Sequence, residues 1–90
     1  MTRRLKKFVD DETFEMYRYV FNIEDTDTIV KQVIGILGDS MRNTFDTELD
    51  DDAKQVTLAF LECSLIELED REAFHTCQEI VNYYPELLLT

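Results

Sequence analysis

Apolar residues recur at helical spacing in four successive stretches. In the first, Phe14, Tyr17 and Phe21 share one face with Val20 beside them, and Asp10 stands where an N-cap belongs, with acids behind it in the first turn. The spacing predicts a helix over 10–22 that stops near Asn22. In the second, Val30, Val33, Ile34, Leu37 and Met41 run at intervals of three and four. Phe45 continues the register, and Ile29 and Ile36 widen the stripe. Asp25 or Thr26 caps this helix, and its predicted span is 26–44. A strand over "TIVKQVIGIL" is rejected because alternation fails at Ile29–Val30 and at Val33–Ile34. Gly35 and Gly38 each weaken the helix by roughly 1 kcal/mol relative to Ala. They leave room for a break between Gly38 and Ser40, or for close approach of another helix at Gly35.

The third stretch, predicted over 50–68, is the most apolar. Val56, Ala59, Phe60, Cys63 and Ile66 form one stripe, and Leu58, Leu61, Leu65 and Leu68 form a second. A helix apolar nearly all round is either central or uses its second face as an interface. Three neighbours would not cover a central helix in so small a protein, so Leu58, Leu61, Leu65 and Leu68 are the candidate interface of a homodimer. The fourth helix is predicted over 71–84, with Asp70 as N-cap and a stripe of Ala73, Phe74, Cys77, Ile80, Val81 and Tyr84. Pro85 ends it, because the residue before a proline disfavours helix. "ELLLT" is then an apolar tail that folds back or is held by a partner. Residues 1–9 read as a basic tail, loose unless Leu5, Phe8 and Val9 dock, and 10–90 as a single helical domain. The expected fold is all-α, a small bundle of about four helices with mostly antiparallel neighbours.

Composition supports helices over a many-stranded sheet: only two glycines and one proline punctuate 90 residues. No apolar run is long enough for a membrane span, and the charged start MTRRLKKF has no apolar stretch after it, so a cytoplasmic protein is expected. Two cysteines are no disulfide framework.

Charge changes the picture more. Twenty acids stand against nine bases, a net charge of -11. Arg3, Arg4, Lys6 and Lys7 are four of those bases, so residues 8–90 keep five bases against twenty acids, a balance of -15. Such a surface repels nucleic acid and anionic membrane and attracts basic proteins. "FDTELDDDAKQ", residues 45–55, concentrates Asp46, Glu48, Asp50, Asp51 and Asp52. A calcium loop would need Gly where Asp51 stands and a bidentate Glu where Thr57 stands. Catalytic carboxylates would need a partner, and the stretch holds no His, Ser or Cys. A helix start fits: Thr47 through Asp50 resembles a capping box with Asp in place of Glu, and Asp50 leading Asp51 and Asp52 is the other register. The same acids can serve as a docking patch.

Cys63 and Cys77 flank the turn near Asp70 and read as buried core thiols. His75 lies two residues from Cys77, so their side chains point about 200° apart on a helix and do not face one metal. Tyr19 and Tyr83 point away from their helices' apolar stripes and are candidate anchors for a protein partner. No nucleophile, base and metal come within mutual reach, so neither an enzyme nor a cofactor is expected. The expectation is a non-enzymatic protein that neutralises or regulates a basic protein partner, in the manner of an inhibitor, an immunity protein or a nucleic-acid mimic. Asp46, Glu48, Asp50, Asp51 and Asp52, with Glu67, Glu69, Asp70 and Glu72, would steer that partner. The alternative is a structural homo-oligomer whose acids only solubilise it.

Overall fold

The computed structural model describes residues 5–89. It is all-helical, with α1 (Asp11–Ile23), α2 (Thr26–Ile34), α3 (Asp39–Thr47), α4 (Asp51–Asp70) and α5 (Phe74–Tyr83), followed by a 3₁₀ turn over Pro85–Leu87. The described residues thus form five α-helices rather than four. Among the described residues, no helix is long and apolar enough to cross a membrane.

Aspartates start three of the helices. The side chains of Asp10, Asp25 and Asp50 accept hydrogen bonds from the amides of Thr13, Thr28 and Ala53 at 2.7–2.8 Å. Each bond satisfies an amide that has no partner within its helix. Hydrogen bonding to Thr13 and to Thr28 holds the carboxyls of Asp10 and Asp25 below the usual carboxylate range. At the third start, Asp50 is therefore the cap.

The helix expected over 26–44 is two helices. After Ile34 the chain tightens, with the Ile36 amide donating to the Val33 carbonyl and the Leu37 amide to that of Ile34. Gly38 then takes φ 115°, a backbone region that residues with side chains rarely adopt, and α3 begins at Asp39. Gly35 is exposed and its α-carbon faces only carbonyls of its own turn, so no neighbouring helix uses it.

α4 is the hub, packing against α1, α2, α5 and the 3₁₀ turn. Its second apolar stripe is core and not a seam between copies: Leu61, Leu65 and Leu68 are 0% exposed, and Leu58 packs against the same cluster. The expectation of an oligomer interface at Leu58, Leu61, Leu65 and Leu68 is corrected by what covers them. The helices α1, α2 and α5 pack around α4. The chain ends add to that cover. The apolar C-terminal segment folds back with Leu87 fully buried, and Leu5 and Leu88 form an antiparallel bridge. The Lys6 amide donates to the Leu87 carbonyl at 2.9 Å. The described part of the basic stretch, 5–9, is also fastened to α4. The Phe8 amide donates to Glu62 Oε1 at 2.7 Å, and Gln55 Nε2 donates to the Phe8 carbonyl at 2.7 Å. Burial pushes the Glu62 carboxyl up, against the pull of the Phe8 amide and Lys7. Arg3 and Arg4 lie outside the described residues.

Asp70 does not cap the last helix. It is the final residue of α4, and α5 begins after Ala73 without a side-chain cap. The Ala73 amide reaches back to the Leu68 carbonyl and the Glu72 amide to that of Glu69, the paired bonds of a Schellman turn. Glu72 occupies the left-handed position at φ 62°, where glycine is the usual occupant. A side chain there costs roughly 1–2 kcal/mol, part of which glycine forfeits through its freer unfolded chain. Glu72→Gly is expected to stabilise the fold by about 0.5–1 kcal/mol and raise Tm by several degrees in a thermal melt.

Candidate functional site

α3 lies against the rest of the bundle through Arg42 and Phe45. Phe45 meets Tyr84 edge to face at 5.2 Å between ring centroids. The Arg42 guanidinium lies over both rings, at 4.9 and 5.0 Å. It also donates to Asp46, to the Tyr83 carbonyl at 2.9 Å and to Glu86 at 2.7 Å. The hydrogen bond with Glu86 holds the guanidinium charged. Burial of Glu86 works against its charge, but the Arg42 contacts outweigh it and keep that carboxyl below its ordinary range. These contacts fix α3 at one side of an apolar cleft of about 490 Å³.

Ile36, Met41, Phe45, Leu49, Val56 and Phe60 supply most of the cleft's apolar wall. The hydroxyls of Thr44 and Thr57, which also line it, are turned onto the carbonyls of Ser40 and Ala53, one turn back in their own helices. The Tyr84 hydroxyl donates to the Ile36 carbonyl at 3.2 Å. The hydroxyls of Thr44, Thr57 and Tyr84 are thus occupied, and among the described residues the Tyr17 hydroxyl and the Gln32 amide are the exceptions in the wall. Met41 and Val56 stand at the mouth, 41% and 62% exposed.

The acidic stretch 45–55 forms the lip of this cleft, because its apolar members, Phe45 and Leu49, together with Val56 just beyond, point into it while its acids do not line it. The acids divide into two groups. Asp46 is held by Arg42 at 2.9 Å and Asp50 is spent as the α4 cap. Glu48, Asp51 and Asp52 are exposed, and their carboxylates have no hydrogen bond or ion pair among the described residues. Lys54 is the one base in the stretch, and its ammonium lies 5.8 Å from the Phe45 ring centre.

The second acidic group is elsewhere. Asp52 and Glu69 lie on one helix seventeen residues apart, roughly 25 Å at 1.5 Å per residue. Glu67 is buried and bonded to Arg71 at 2.9 Å, so it is a structural acid and not a steering one. Asp70 pairs with Arg18 at 3.0 Å. Glu69 is half-buried and Glu72 is exposed in the turn. Of the two tyrosine anchors, Tyr19 is exposed on α1, whereas Tyr83 is half-buried against the core, because the chain beyond it folds back instead of leaving. The structure therefore brings Asp46, Glu48, Asp50, Asp51 and Asp52 together at the lip of the cleft, and does not bring the 67–72 group or Tyr19 to them, while Tyr83 meets them only through its carbonyl, which shares Arg42 with Asp46.

No family model matches this chain, nor does any curated protein or solved structure. The reading of the site rests on its own chemistry. Among the described residues, no three His, Cys, Asp or Glu side chains gather as a metal-holding group. Burial pushes the Cys63 thiol up to about 12, so it stays protonated and unreactive at neutral pH. What the cleft and its lip offer together is an apolar slot beside three unpaired carboxylates, which suits an apolar side chain flanked by cations.

The sequence pattern passed over the cleft itself. Its one visible trace is that Phe45, Leu49 and Val56 interrupt the acidic run at its start, middle and end.

Proposed function

We propose that this is a non-enzymatic binding protein that neutralises or regulates a basic protein partner, with the acid-lipped cleft as its contact site. The observation that carries the reading is the pairing of unpartnered Glu48, Asp51 and Asp52 with the apolar mouth at Met41 and Val56. The fate of the bases supports it. Arg18, Arg42 and Arg71 are all committed to acids of their own chain, leaving the surplus carboxylates to face solvent. A basic partner gains long-range steering from the field of the whole surface and short-range hold from the cleft. An inhibitor, an immunity protein or a nucleic-acid mimic would all act in this way.

The test is the triple variant Glu48→Gln, Asp51→Asn, Asp52→Asn, compared with the unaltered chain in capture of basic proteins at low salt. Two of the three changes remove acids from the first turn of α4, so stability should fall by no more than about 1 kcal/mol. Association with the captured partner should slow by about tenfold and its salt dependence should flatten. Equal rates at every salt concentration would remove these acids from the function.

A further inference from the structure

α1 presents apolar residues on two faces, and only one of them is used by the fold. Phe14, Tyr17 and Phe21 pack inward, with Phe21 meeting the Phe60 ring of α4 at 5.7 Å. Met16, Tyr19, Val20 and Ile23 face solvent, and they follow one another at the three-, four- and seven-residue spacing of a single helical stripe. Tyr19 and Ile23 are each 72% exposed. A solvated helix face normally carries polar residues, and a contiguous run of large apolar side chains there marks an interaction surface.

The charges around the stripe say what kind of surface would cover it. Glu12 and Glu15 stand one turn before Met16 and Tyr19 and line the same shallow depression. Both are exposed, and neither carboxylate has a partner among the described residues. The neighbouring bases are engaged elsewhere: Lys7 holds Asp11 at 2.7 Å, and Arg18 is turned to Asp70 and Glu67. Arg18 shares a second shallow depression with Glu15, Tyr19 and Asn22, but its charge is met by Asp70 and Glu67, so the rim of the stripe is negative in balance.

A second copy of this chain does not complement it. Side-by-side parallel pairing would set Glu12 against Glu12 and Glu15 against Glu15. Antiparallel pairing about Tyr19 would set Glu12 against Thr26, next to Asp27, and Glu15 against Ile23, with no cation in either arrangement. An anionic lipid surface would be repelled for the same reason.

We propose that the outward face of α1 docks a cationic amphipathic helix of a partner protein. Apolar residues of that helix, at three- and four-residue spacing, pack between Met16, Tyr19, Val20 and Ile23. Its lysines or arginines reach Glu12 and Glu15. The surface is separate from the cleft, since Tyr17 lines the cleft and Tyr19, two residues on, points about 200° away around α1.

The experiment uses the full chain and a synthetic peptide of leucine and lysine, about 18 residues long so that it holds a helix, with leucines at the helical stripe positions. A scrambled peptide of the same composition is the control. Titration by fluorescence anisotropy should give binding about tenfold tighter than that of the scrambled peptide. Tyr19→Ser with Ile23→Ser alters only exposed side chains and should weaken binding by about tenfold. Glu12→Gln with Glu15→Gln should weaken it less and flatten its salt dependence. The cleft-lip triple variant should bind the peptide as the unaltered chain does, which separates this proposal from the one above. Unchanged affinity in the Tyr19 and Ile23 variant, or equal binding of the scrambled peptide, would overturn it. So would a dimer seen by light scattering that Ile23→Ser dissolves, since a second copy would then own the face.

Discussion

Leu61→Glu is expected to abolish folding. Leu61 is 0% exposed in the middle of α4, at the centre of the cluster that joins all the other elements. Removing a buried leucine side chain alone costs about 2–5 kcal/mol. A carboxylate in its place has no cation within the core to pair with, which adds several kcal/mol more. A domain of this size holds roughly 5–13 kcal/mol in all, and the small fraction of surface it buries puts it toward the lower end. The variant should lose its cooperative thermal transition and most of its helical circular dichroism. Val56→Gln supplies the contrast on the same helix. Val56 is 62% exposed, so that change should stay within about 0.5 kcal/mol. A folded Leu61→Glu monomer, from a protein that is otherwise dimeric, would restore the leucine stripe as an interface.

That contrast also shows which parts of the fold are readable along the chain. Asp10, Asp25 and Asp50 can be placed because an N-cap is a local device, a short acid reaching an amide three residues on. The apolar character of α4 all round can be read too. Whether its second stripe meets solvent cannot, because the cover is completed by residues from both chain ends, 5–9 and 85–89, which join the same core cluster. The split of 26–44 is hidden for another reason. Gly38 marks a place where a break has room, but the stripe from Ile29 through Phe45 keeps helical register across it, so periodicity does not choose between one helix and two and the backbone angle of Gly38 does. Asp70 is misread as a cap because α4 is stopped by a left-handed glutamate, Glu72, and no residue preference marks glutamate for that place.

The site was readable to a similar depth. A cluster of acids is visible at once, but its division into a cap, an ion pair and three unpartnered carboxylates depends on where Arg42 and Ala53 lie. Along the chain Glu67 reads as one more surface acid beside Glu69 and Asp70. Its burial follows from α1 crossing α4 at that level, a contact between residues about fifty apart in sequence. The cleft is lined from separate segments, Met41 and Phe45 of α3 facing it along with Val56 and Phe60 of α4 and Tyr84, so no linear pattern contains it.

The same crossing makes Arg71 the other position where one change should do great damage. Its guanidinium joins three segments. Nε donates to Glu67 Oε2 at 2.9 Å, one terminal nitrogen to the Phe21 carbonyl near the end of α1 at 2.8 Å, and the other to Thr26 Oγ1 at the start of α2 at 3.2 Å. The Glu67 side chain is only 6% exposed, and its other oxygen has just the more distant Arg18 at 3.8 Å. Arg71→Ala therefore strands a buried carboxylate and unties the α1–α2 connection from α4. The expected loss is about 3–5 kcal/mol, read from urea denaturation as a lower midpoint with an unchanged slope. Arg71→Lys should fall between, because an ammonium can face Glu67 but does not reproduce the planar fork that serves three acceptors at once. Arg71→Ala combined with Glu67→Leu should recover at least about 1.5 kcal/mol of the loss, since no charge is then left buried. A loss below about 1 kcal/mol for Arg71→Ala alone would place this contact among ordinary surface ion pairs and remove it as the clamp of the fold.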